Sequence, residues 1–115
     1  MSAKLAQLLD GIEPVCTSRG GEGYYSLVDS LEIVRRCTTF GIAATSPEAF
    51  ELLPGEGVRV IGVCDFGLDT SADWSSNVGR ANQRAAAYVE SFRDRSYPVA
   101  LTWVVFTSID DADVP

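Results

Sequence analysis

Along the first dozen residues, Leu5, Leu8, Leu9 and Ile12 recur at helical spacing, Ser2 suits the N-cap and Gly11 suits a left-handed stop. The pattern next predicts a short strand over residues 13–18 (EPVCTS) and a loop over residues 19–23 (RGGEG), whose glycines have no preferred backbone well. From residue 24 to about 36, Leu27, Leu31 and Val34 return every three or four positions, the mark of an amphipathic helix. A strand is expected over residues 37–44 (CTTFGIAA). Residues 46–54 (SPEAFELLP) carry helix signals: Ser46 as N-cap, Pro47 at the first helical position, acids in the first turn and Pro54 beyond the end.

Residues 58–66 alternate, with Val58, Val60, Gly62, Cys64 and Phe66 on one face and Arg59, Ile61, Val63 and Asp65 on the other. After a polar loop, a long helix is expected over about residues 74–93, with Ala81, Ala85, Tyr88 and Phe92 as its stripe and Val78 and Val89 beside it. Residues 99–107 are apolar on both faces, which predicts a last strand at the centre of a sheet. Strands alternating with helices predict an α/β or α+β sandwich: a roughly four-stranded sheet with three to four helices, one compact domain over residues 1–108 and a loose acidic tail over residues 109–115.

Composition narrows the function classes. Nine basic against sixteen acidic residues leave a net charge of −7, a field that repels phosphate backbones and anionic lipid. Neither nucleic acid nor membrane is therefore an expected partner. The three cysteines (Cys16, Cys37, Cys64) form no C-x-x-C pair, and the N-terminal apolar run is too short for an export signal, so reduced thiols in the cytoplasm are expected. Histidine is absent, which removes the usual general base near neutral pH and the commonest metal ligand.

Candidate chemistry gathers around Asp65, at the expected carboxyl end of a strand, where open sheets tend to place ligands. Asp65-Phe66-Gly67 spells the magnesium-binding segment of protein kinases, but the chain has one lysine, Lys4, and none of the other kinase elements. Neither a metal nor a cofactor is expected. Arg80 and Arg84, one helical turn apart, could offer guanidinium forks to an anionic or zwitterionic ligand near Asp65, or pair with Asp69 and Asp73 along the helix. The strand–glycine loop–helix order around residues 19–26 has the form of a phosphate cradle, equally that of a hairpin-like loop. Cys16 beside that loop and Arg19 is a candidate nucleophile or a small core residue.

The segment VRVIGVCDFG, followed by Asn77 and by Arg84-Ala85, resembles the peptidoglycan-binding OmpA-like domains. The resemblance implies a site in which Gly62, Asp65, Asn77 and Arg84 match family positions, the Asp and Arg holding the amine and carboxylate of diaminopimelate. Cys64 stands where that family has Thr, and the loop from Asp65 to Asn77 is longer than the family's.

Tyr24, Tyr25 and Trp74, next to glycines or in a polar loop, are candidate interface anchors or lids on the core. The expectation that follows is a small acidic, cytoplasmic, non-catalytic interaction or regulatory module that binds another protein or itself. The alternatives are a ligand module using Asp65, Asn77, Arg80 and Arg84, and a small enzyme built on Cys16 or Asp65.

Overall fold

The computed structural model describes residues 7–18, 20–55, 57–64 and 67–108. The expected start of the first helix, the residues Arg19, Asp65 and Phe66, and the acidic tail at 109–115 lie outside the described residues. Among those described, five strands and two long helices follow in the order β1 (Cys16–Thr17), β2 (Gly23–Ser26), α1 (Leu27–Phe40), β3 (Ala43–Leu52), β4 (Val58–Val63), α2 (Trp74–Glu90) and β5 (Val99–Phe106). The strands form one sheet, β1-β2-β5-β3-β4, in which every pairing is antiparallel. The fold is thus α+β: among the described residues the sheet has five strands rather than four, and two long helices stand where three to four helices were expected, the start of the first expected helix lying outside those residues. The last strand does lie at the centre.

The first strand is Cys16–Thr17 rather than residues 13–18, and the long helix ends at Glu90 rather than about residue 93; three further differences each have a local reason. The helix expected from residue 24 begins at Leu27, because the Ser26 hydroxyl accepts the Asp29 N–H at 3.1 Å and caps it there. Tyr24 and Tyr25 therefore belong to β2. The strand expected from residue 37 is the last turn of α1: Cys37 continues the buried stripe of Ser30, Ile33 and Val34, and Gly41 ends the helix at φ 70°.

The third correction is the largest. Residues 46–52 are not helical but form the last seven positions of the ten-residue strand β3. Thr45 pairs with Val104 and Glu48 with Thr102, so Ser46 and Pro47 together oppose Trp103 in a β-bulge. Ser46 has φ 47°, and a bulge is one of the few places where a sheet tolerates a residue with no N–H, here Pro47. The same Ser-Pro pair that suits a helix start also suits a bulge. The competition is decided by Ala49, Phe50 and Leu52, which gain partners on both neighbouring strands or at the hairpin beyond.

Both helices cover one face of the sheet. Ile33, Val34 and Cys37 of α1 meet Ile42, Ala44 and Ala85, while Val89 and Phe92 meet Ala49, Val99 and Leu101. Full burial of side chains such as Ile33, Ile42 and Leu101 contributes about 2 kcal/mol each. Two polar side chains of α2 share this interior. Asn82 Oδ1 accepts the Ala44 N–H at 2.8 Å, and its Nδ2 donates to the Ile42 carbonyl at 3.0 Å and the Thr38 hydroxyl at 2.9 Å. One amide thereby joins α2 to the end of α1 and the start of β3. The hydroxyl of Ser30 similarly accepts the Trp103 indole N–H at 3.2 Å.

Candidate functional site

Asn77, Arg80 and Arg84 lie in the first three turns of α2, whose N-cap Asp73 accepts the Ser76 N–H at 2.7 Å. Asn77 is buried and its amide is engaged by the preceding loop. Its Oδ1 accepts the Asp69 N–H at 2.7 Å, and Nδ2 donates to the carbonyls of Asp69 at 2.8 Å and Asp73 at 3.1 Å. Asp69 is held below the usual carboxylate range, first by the Ser71 hydroxyl and backbone N–H, with Arg80 adding to the effect. Arg80 stands 3.9 Å from Asp69 with both side chains about half exposed, a weak contact in water. Arg84 is exposed and has no ion-pair partner among the described residues. Asp65 lies outside them, so the structure brings together Asn77, Asp69 and Arg80 and leaves Arg84 on the surface.

The glycine-rich loop is a hairpin turn. Ser18 and Glu22 close it through an N–H to carbonyl bond of 2.8 Å, and Gly21 takes φ 85°. Strand β2 then separates the loop from α1, so the loop does not present its N–H groups beside a helix start as a phosphate cradle does. Cys16 pairs with Tyr24 across this hairpin. It lines a shallow groove of about 350 Å³ with Val15, Thr17, Leu52, Leu53 and Gly57.

The three aromatic candidates separate. Tyr25 pairs with Leu101 and packs into the core beneath α1, and burial together with the nearby Glu13 carboxylate pushes its hydroxyl pKa up. Trp74 lies over Val78 and Ala81 and donates its indole N–H to the Gly41 carbonyl at 2.8 Å. Tyr24 points to the opposite side of the sheet, where its ring meets Phe50 edge to face with centroids 4.9 Å apart.

That opposite side is the feature the residue pattern did not reveal. Register places Tyr24, Ser26, Glu48, Phe50, Val60, Val63, Ala100, Thr102 and Val104 on the face turned away from both helices. A second bulge accounts for the surprise. Ala49 pairs with Gly62 but Phe50 with Val60, so Ile61 is the extra residue of β4. The extra residue turns Val63 to the same outer face as Val60, whereas strict alternation predicts opposite faces. Ile61 and Gly62 lie on the helix side instead, against Tyr88 and Phe92.

Part of this apolar face is open to solvent. Val60 is 54% exposed, Val63 66% and Val104 46%. Phe50, Ala100 and Thr102 of the same face are buried, and Glu48 is the charged residue of this set. No helix among the described residues is long and apolar enough to cross a membrane. No family model matches the chain, and neither does any curated protein or solved structure. The resemblance to peptidoglycan-binding domains thus rests on its few motif residues.

Proposed function

We propose that this chain is a small acidic, non-catalytic interaction module of the cytoplasm that binds protein through the outer face of its sheet. The observation that carries this reading is the row of exposed valines, Val60, Val63 and Val104, on a sheet face that neither helix covers. An antiparallel sheet with one face in water ordinarily alternates apolar-in and polar-out. Here both faces are apolar, and an exposed patch of this kind marks a surface that another molecule occupies. Three free thiols, with no histidine to activate one, suit a non-catalytic protein in a reducing compartment.

The test is the native mass of the protein in an extract of the cells that make it. Wild-type protein should migrate in a species heavier than the 12.4 kDa monomer, and Val63→Asp should release it as folded monomer. A monomeric wild type, or a heavy species indifferent to Val63→Asp, would overturn the reading.

A further inference from the structure

Resting on the interaction reading above, we infer that the occupant of the outer face is a second copy of this chain, docked sheet to sheet about a twofold axis. Chemistry argues first. Of the outer-facing side chains in β2 to β5, Glu48 alone is charged, so the acidic surplus that would attract a basic partner lies elsewhere on the molecule. A face of valines, aromatic edges and Thr102 is complementary to another apolar face, and the one such face certain to be present at equal concentration is its own. A twofold contact requires that self-complementarity.

Area argues second. The five strands hold 30 residues. At about 3.3 Å rise and 4.8 Å spacing they cover roughly 470 Å² in projection. Two copies face to face then cover at most about 950 Å², since Phe50, Ala100 and Thr102 are already buried, near the roughly 1,000 Å² at which specific interfaces begin. Such a dimer is modest in strength, in the micromolar range of about 1–100 μM.

The sheet edges argue third, by elimination. Copies could instead pair strand to strand, but β1 is two residues long and β4 carries the bulge at Ile61. Short and bulged edges resist pairing with another strand. Among the described residues the outer face has no comparable protection beyond Glu48. That carboxylate, beside Val63 in register, is the feature expected to weaken the dimer when charged.

Sedimentation velocity of the purified full chain from low to several hundred micromolar tests the inference. Wild type should pass from monomer to dimer across that range. Val63→Asp and Val104→Asp should each weaken the dimer at least about tenfold, since each would bury a charge. Glu48→Gln should tighten it. Val28→Asp, at the most exposed valine of α1, should leave it unchanged. Circular dichroism of each variant establishes that it is folded. A wild type monomeric throughout, or a dimer dissociated by Val28→Asp and not by Val63→Asp, would overturn the inference. If the pure protein is monomeric while Val63→Asp still disperses a heavy species in extract, self-association fails and the interaction reading survives. If neither species exists, both fail.

Discussion

The hydroxyl of Tyr88 fills the space over Gly62 that a side chain would occupy. A Cβ built on Gly62 would stand 2.5 Å from that oxygen and 3.2 Å from the rim of the Phe92 ring. Tyr88 and Phe92 pack edge to face with centroids 5.0 Å apart, so the tyrosine is held where it is. Its hydroxyl oxygen is buried without a hydrogen-bond partner among the described residues. Burial, aided by Cys64 and Glu48, raises the Tyr88 pKa. The close approach of β4 to α2 therefore depends on a glycine.

Gly62→Ala should destabilise the fold by about 1–3 kcal/mol, the usual cost of forcing a methyl into a packed site. Tyr88→Phe removes a buried hydroxyl with no described partner and should leave stability unchanged or raise it by up to about 1 kcal/mol. Because the new methyl meets that same oxygen, the double variant should lose less than Gly62→Ala alone; Phe92 keeps the rescue partial. Urea unfolding of the four proteins measures this directly. Strictly additive effects would mean the hydroxyl is not what blocks the methyl.

Asn82 and Arg84 lie two residues apart on α2 and should behave oppositely. Asn82→Ala leaves the Ala44 N–H and the Ile42 carbonyl buried without their amide partner, at about 2–3 kcal/mol. Arg84 is exposed, and Arg84→Ala should change stability by less than about 0.5 kcal/mol. Thermal melts of the two variants decide it. An Asn82→Ala protein as stable as wild type would remove the amide as the joint between α2 and β3.

Much of the fold was legible where one signal acted without a rival. The long helix from Trp74 and the central last strand both follow from uninterrupted apolar spacing. Legibility fails where one residue serves two local structures. Ser46-Pro47 reads as a helix start until Trp103 is seen across from it, and that partner lies more than fifty residues away. Ser26 and Gly41 were the true limits of α1, yet neighbouring glycines and apolar residues offered equal claims. The candidate surface was hidden for the same reason. Val60 and Val63 share a face only because Ile61 is bulged, and a bulge is set by pairing with β3 rather than by β4's own residues. Asn82 gave no sign at all, since a buried asparagine is defined by the groups it meets.

Cys37 should behave as a sealed thiol. It is completely buried in α1, and burial pushes its pKa up to about 12. A free thiol in the unfolded chain titrates near about 8.5, so folding favours the neutral form. The raised folded value contributes stability that is fully present below the unfolded pKa. It is lost as pH rises from about 8.5 through about 12. At pH 8 only about one Cys37 in ten thousand is thiolate, and that thiolate is inaccessible. A disulfide reagent at pH 8 should therefore modify Cys16 and Cys64, both partly exposed, in the native protein and reach Cys37 only through unfolding. Between pH 9 and 11, wild type should lose more stability to urea than Cys37→Ala does. Rapid modification of all three thiols in the folded state, or parallel pH slopes for the two proteins, would show that the α1 interior is open to water.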